Sequence, residues 1–453
     1  MEFLKDIALP QPIEHFHLLL FILNLVFIVF LPYFGFLIGT SVLSVYYRRR
    51  SRRTGNQFEL RFARDLIQTG MFSKGGVAFF AILPALALVF LLAQFLQGTA
   101  AIAAGLMGFG FLALLASVIL LYVYRYNMGL EGLLSNAESA PGIQAYRITT
   151  EATLDRTGRW GVILVLLASA LCVGAISDAV NRASWDNVST VFDLAINPDF
   201  WVRYLHFLAV SLGATGVGVL FFFFQWEGGS AGHDEGYISF VRPRAIRLIV
   251  VSLLAQPVFL LASIALLPPA ALTGLVFGLG GMSLLFLFLT ASFVYAYKRE
   301  NRTSYVAYAF YALGLALFLV FTKDQIAISN ATKDHAASLA MKAEHEVDAL
   351  RAKLGVVSVV LTGEDIYNGK CSACHLFDQK KIGPPYNVAI KKYAGKKEEL
   401  IRFILNPAKV DPAYPSMPNQ GLKPAEADSI ATYLIGRVIY KDQNNFSTPA
   451  AKE

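Results

Sequence analysis

Eight times between Phe16 and Thr322 the chain runs for about 20 residues with almost no charge. A helix of that length crosses the roughly 30 Å hydrocarbon layer of a bilayer, and only helices or closed barrels satisfy their backbone there. The expected spans are about Phe16–Tyr46, Gly75–Phe95, Ala100–Tyr124, Trp160–Ile176, Trp201–Phe224, Ala245–Leu267, Ala270–Tyr297 and Tyr305–Thr322. Charged residues are only 16% of the chain, against about a quarter in a soluble domain. The first run lacks a small-residue cleavage site, so it reads as a span and not as a removable signal.

The net charge of +7 does not point to nucleic acid, because the basic residues sit at the span ends. Arg48–Arg53, with Arg61, Arg64 and Lys74, separates the first two spans. Arg125, Arg147, Arg156 and Arg159 lie between spans three and four, Arg242, Arg244 and Arg247 before span six, and Lys298, Arg299 and Arg302 after span seven. The alternate connections are nearly free of Lys and Arg. The positive-inside rule puts the basic loops in the cytoplasm and both termini outside. The expected location is therefore the bacterial inner membrane, with the C-terminal part in the periplasm.

After Thr322 the composition changes. Asp324–Leu354 is rich in Ala, Lys and Glu and contains no Pro or Gly, which reads as an exposed helical spacer. Residues 355–440 read as a small soluble domain and Asn444–Glu453 as a frayed tail.

That domain contains Cys371-Ser372-Ala373-Cys374-His375. Cys-x-x-Cys-His is the attachment sequence of c-type haem, with two thioethers to Cys371 and Cys374 and His375 as proximal ligand. Cys-x-x-Cys also occurs in redox and zinc sites, but zinc needs two further Cys or His ligands, and none follows His375. The third cysteine, Cys172, lies in an apolar run, so there is no disulfide framework. Met417, in Pro415-Ser416-Met417-Pro418, is the only Met after the motif and the candidate sixth ligand. Gly363-Glu364-Asp365-Ile366-Tyr367, Ile382-Gly383-Pro384-Pro385 and a closing helix over Ala425–Leu434 complete a pattern that resembles class I cytochrome c.

Three histidines stand at span-forming positions: His15 and His17 at the head of span one, and His206 about five residues into span five. Both spans start outside, so all three are expected near one depth, where imidazoles from separate helices cradle a b-type haem. The competing reading is that these rings only hydrogen-bond lipid headgroups. His233, in a loop, and His335 and His345, on the spacer, are poor candidates.

Leu194-Ala195-Ile196-Asn197-Pro198 with Arg203-Tyr204-Leu205-His206, Gly105-Leu106-Met107 and Gly278-Leu279-Gly280 resemble subunit I of the cytochrome bd quinol oxidases. The resemblance makes His206 the low-spin haem b ligand and His17, or else His15, the ligand of a second haem. Ala104 and Leu112 stand where that family has carboxylates at its oxygen-reducing haem, and Val276 stands where it has the Met ligand, with Met282 two turns away. A Pro268-Pro269 hairpin replaces its long quinol loop. The spans also show almost no buried charge.

The expectation is an all-α chain: a polytopic helical membrane bundle of about eight spans (residues 1–323, bd-like), a charged helical spacer (324–354) and a small all-α class I cytochrome c domain with its tail (355–453). Its cofactors are one covalent haem c and one or two b haems. Its expected role is electron transfer between a periplasmic c haem and b haems in the membrane. Its partners are other membrane or periplasmic subunits of a respiratory complex, a quinone and a soluble redox partner for haem c, with no nucleic acid. The alternatives are a membrane anchor in which only haem c is redox active, and a divergent bd-like oxidoreductase.

Overall fold

The computed structural model describes residues 11–134, 141–182, 185, 190–226, 234–354 and 361–440. His233 and Asn444–Glu453 lie outside them. Among the described residues there are helices and no strands. Residues 18–332 form one compact unit, and residues 11–17 with 333–440 form a second.

Among the described residues, eight helices are long and apolar enough to cross a membrane. They are α1 (Ile13–Thr54), α3 (Lys74–Phe95), α4 (Ala103–Leu134), α5 (Pro141–Val180), α7 (Pro198–Phe224), α8 (Glu235–Ala265), α9 (Gly274–Glu300) and α10 (Ser304–Lys353). A short amphipathic helix, α2 (Gln57–Gly70), follows α1, and α6 (Val191–Ile196) precedes α7. Large apolar side chains such as Phe21, Phe90, Leu254 and Phe288 are exposed on the bundle surface, as lipid-facing positions require.

Lipid removes the hydrophobic drive for helix association, so close approach at small residues carries the packing. Gly35 and Gly39 of α1 meet Ser211 and Thr215 of α7, and Gly213 and Gly216 of α7 meet Ser252 and Ile249 of α8. Buried hydroxyls bridge helices at the same level, with Ser117 Oγ donating to Gly161 O at 2.7 Å and Ser252 Oγ to Ala209 O at 2.6 Å. Helix ends are also capped across the bundle. Asp178 Oδ2 at the end of α5 accepts from Ile102 N and Ala103 N, both at 2.9 Å, at the start of α4.

The basic stretch after span one is partly structural. Arg48 is 2% exposed and donates to Glu131 at 3.1 Å and to Asp155 at 2.5 Å, tying α1 to α4 and α5. Arg52 reaches Glu151 and Asp155.

The helix α10 runs unbroken for 50 residues. With no Gly or Pro from Leu315 to Leu354, nothing interrupts its hydrogen-bond ladder where the composition changes. The expected spacer is thus the same helix as the last span. Its exposure is a correction: Ala336, Ala337, Leu339, Ala340 and Ala343 are buried along one face.

In the second unit, α11 (Gly363–Ile366) continues into a π turn over Tyr367–Cys371, followed by α12 (Tyr386–Ala389), α13 (Lys397–Leu405) and α14 (Pro424–Ile435). Ile366, Ile390, Leu400, Ile404, Ala427, Ile430 and Leu434 make its core, with Met341 of α10 packed against them. The domain closes where α11 crosses α14, with Gly363 against the carbonyl of Ser429 and the Tyr433 side chain.

Candidate functional site

The π turn delivers Cys371 to the rim of a cleft, and the next residues fold back on it. Cys374 N and His375 N donate to Cys371 O at 3.1 and 2.9 Å, so both thiols and the imidazole leave one tight turn. Ile382 N and Gly383 N donate to Cys374 O, which lays residues 382–384 beside the ring. His375 Nδ1 lies 2.9 Å from Pro384 O. A carbonyl only accepts, so Nδ1 carries the proton and Nε2 keeps its lone pair. Tyr386 stacks on the imidazole at 4.7 Å with its plane within 6°. Gly383 must be glycine here, since a Cβ would run into the His375 ring. Burial pushes the Cys371 thiol and the Tyr386 hydroxyl up.

Met417 lines the same cleft together with Cys371, Cys374 and His375. Two thiols, an imidazole with a free nitrogen and a thioether around one half-apolar cleft fit the donor set of a c-type haem.

The bundle contains a second, small cavity, of about 30 Å³, lined by Leu31 of α1, Val173 and Ile176 of α5, Arg203 and His206 of α7, Ser263 of α8 and Asp324 of α10. His206 is 6% exposed, and its Nε2 is buried without a hydrogen-bond partner among the described residues. Arg203 Nη2 is also buried without a partner. An imidazole nitrogen left unsatisfied in a buried site costs of order 1–3 kcal/mol, which a ligand would recover.

The expectation of almost no buried charge is corrected here. Arg203 Nε bonds Asp199 Oδ2 at 2.8 Å, and its Nη1 reaches Asp324 Oδ1 at 3.4 Å. Lys323 Nζ lies 2.6 Å from the same Asp324 oxygen, and Ser177 Oγ donates to Asp199 Oδ2 at 2.6 Å. Asp199 and Arg203 sit in the polar lead into span five and Lys323-Asp324 at the end of span eight, so each reads as a boundary when the spans are taken singly. The signal available was the spacing of Asp199, Arg203 and His206, which places them on one helix face.

The other candidates fall elsewhere. His15 and His17 are exposed at the head of α1, and His15 Nδ1 lies 2.8 Å from Gln11 Oε1. His206 is buried in the first unit, whereas His15 and His17 belong to the second. Ala104 and Val276 are buried, while Leu112 and Met282 are exposed on the bundle surface. His345 is exposed and His335 half-buried.

The cytochrome c family model matches residues 360–436. Cytochrome c-552 of Hydrogenobacter thermophilus is 33% identical over 92 residues, which make up 19% of this chain and 92% of that protein. A domain of this family implies covalent haem c. The chain therefore belongs, through its C-terminal class I domain, to the cytochrome c family, carried here on a bundle of eight membrane helices.

Proposed function

We propose that this protein passes electrons between a haem c, bound by Cys371, Cys374, His375 and Met417, and a b-type haem ligated by His206 within the helices. Bound haem supplies a one-electron iron couple at each site. The chain does the rest. Pro384 O holds the proton on His375 Nδ1 and so directs Nε2 to the metal, and Tyr386 keeps the ring plane fixed. Pro415 and Pro418 limit the freedom of the Met417 loop. In the bundle, Arg203 offers an unpartnered Nη2 to an anionic group in the His206 cavity, and Asp199 and Asp324 hold its guanidinium in place.

The observation that carries the reading is the buried His206 Nε2, facing no partner among the described residues, in a cavity where five helices meet. On this reading residues 1–323 are a divergent relative of bd subunit I that has kept an electron carrier and lost its oxygen site. Ala104 supplies no carboxylate, and the exposed Leu112 does not face the interior. The cytochrome domain lies in the periplasm and the protein serves a respiratory complex, exchanging electrons with partner subunits, a soluble carrier or a quinone.

Pyridine haemochrome spectra of the purified protein test this. The wild type should contain both c and b haem, and His206→Ala should lose b absorbance while keeping c. His15→Ala and His17→Ala, made one at a time, read whether either ring contributes. A wild type with no b haem, or a His206→Ala variant with its full b content, favours the anchor reading.

A further inference from the structure

A third cleft, of about 920 Å³, opens between α2, the start of α3 and the last turns of α4. Three cations line it: Arg64, Lys74 and Arg125. Among the described residues a single acid, Asp65, lines it too, and that carboxylate is already engaged. Its Oδ2 accepts from the Tyr237 hydroxyl at 2.7 Å, Arg61 Nε lies 3.9 Å from the same oxygen, and Arg64 Nε lies 3.9 Å from Oδ1. Three cations against one acid leave an excess of positive charge in the cleft.

The donors there are under-used. Arg125 Nη2 makes a long bond to Phe72 O at 3.3 Å, while its Nε is buried without a partner among the described residues. One turn earlier on α4 the Tyr122 hydroxyl is also buried without a partner. Lys74, at the first position of α3, is exposed. The cleft thus offers a guanidinium, an ammonium and a phenol that the protein leaves open to an acceptor carrying negative charge.

Its position says where such an acceptor comes from. α1, α3 and α4 are consecutive crossings, so the end of α1, the start of α3 and the end of α4 share one membrane surface. The amphipathic α2 joins the first two. Phe72 beside the cleft and Tyr126 on its wall are exposed, as in the aromatic belt at headgroup level. A soluble anion gains nothing from those aromatic faces, whereas a phospholipid places its phosphate among the cations and its chains along the exposed apolar surface.

We propose that this cleft is a binding site for an anionic phospholipid, its phosphate held by Arg64, Lys74 and Arg125 and a further oxygen by Tyr122.

Native mass spectrometry of the full chain in detergent, titrated with phosphatidylglycerol or phosphatidylcholine, tests this. The wild type should retain phosphatidylglycerol about tenfold more than phosphatidylcholine, the order expected for cations at a lipid surface. The triple variant R64Q/K74Q/R125Q should lose that preference. The control K298Q/R299Q/R302Q removes as many charges from the end of α9, on the same membrane surface, and should keep it. Covalent haem content and elution volume report folding, and the single variant Arg125→Gln, expected to weaken the preference, stands in if the triple misfolds. The proposal fails if the wild type shows no preference, if the triple or the single variant keeps it in full, or if the control loses it equally. It fails as a lipid site if inorganic phosphate alone displaces phosphatidylglycerol.

Discussion

Met417 is half-buried at the wall of the cleft that holds Cys371, Cys374 and His375, between two prolines of its loop. A thioether sulfur favours ferrous iron more than an imidazole does. Met417→His should therefore keep covalent haem and lower its midpoint potential, by on the order of 0.1–0.2 V within the ~0.8 V that axial ligands span. Redox titration checks it, and an unmoved potential would assign the sixth position to another residue. At this scale the motif made Cys371, Cys374 and His375 readable, because covalent attachment fixes their spacing along the chain. The roles of Pro384, Tyr386 and Gly383 were less so. They depend on a carbonyl, a ring face and a missing Cβ that meet the imidazole only after residues 382–386 fold back. Arg203 and Asp324 were hidden for the same reason, being 121 residues apart along the chain.

Two short elements decide whether the cytochrome domain holds together. The first is the crossing of α11 and α14, where a Cβ on Gly363 would strike the Ser429 carbonyl and the Tyr433 Cβ. Backbone cannot move aside as a flexible side chain can. Gly363→Ala should destabilise the domain by about 1–3 kcal/mol, the usual cost of overpacking. Thermal melts of the haem c signal would read this, and an unchanged midpoint would mean that the crossing has room for a methyl group at Gly363. The second is the cap of α11. Thr362 Oγ1 and N both donate to Asp365 Oδ2, at 2.6 and 3.1 Å, and Asp365 N donates back to Thr362 Oγ1 at 3.2 Å. The Thr362 hydroxyl, then the Thr362 N–H, hold the Asp365 carboxyl below its ordinary value of 3.8. A lowered folded value makes the contribution full above 3.8 and lost as pH falls through the folded value. The domain should thus lose stability in that acid range, and Asp365→Asn should flatten this part of the pH profile. Unchanged acid dependence in the variant would exclude the carboxylate. Elements were the most readable level, since apolar length specifies the spanning helices directly, even where Pro32 lies inside α1 and Pro243 and Pro257 inside α8. What the composition change at Thr322 concealed is that it marks a change of solvent and not of secondary structure, so α10 continues across it.

At the scale of the whole molecule, two structural units each contain a separate candidate site. Cys371, Cys374, His375 and Met417 all belong to the second unit, and every residue lining the His206 cavity belongs to the first. The order of the parts was readable, because a membrane bundle and a soluble haem domain differ in composition everywhere. The cavity was not, because its wall draws on five helices scattered over nearly 300 residues, and no local pattern announces such a meeting. The division has a measurable consequence. Changing both cysteines, Cys371→Ala with Cys374→Ala, should abolish haem staining on a denaturing gel, since both thioethers are gone. The core of the second unit includes Cys371 and should become more sensitive to protease without its haem. The first unit loses no side chain from its packing, so the proposed b-haem absorbance in the native protein should persist near its wild-type strength. His206→Ala should give the converse, with the gel stain kept and the b band lost. If the cysteine variant loses b absorbance as well, the b haem depends on the cytochrome domain, and the assignment of His206 to an independent site in the helices is wrong.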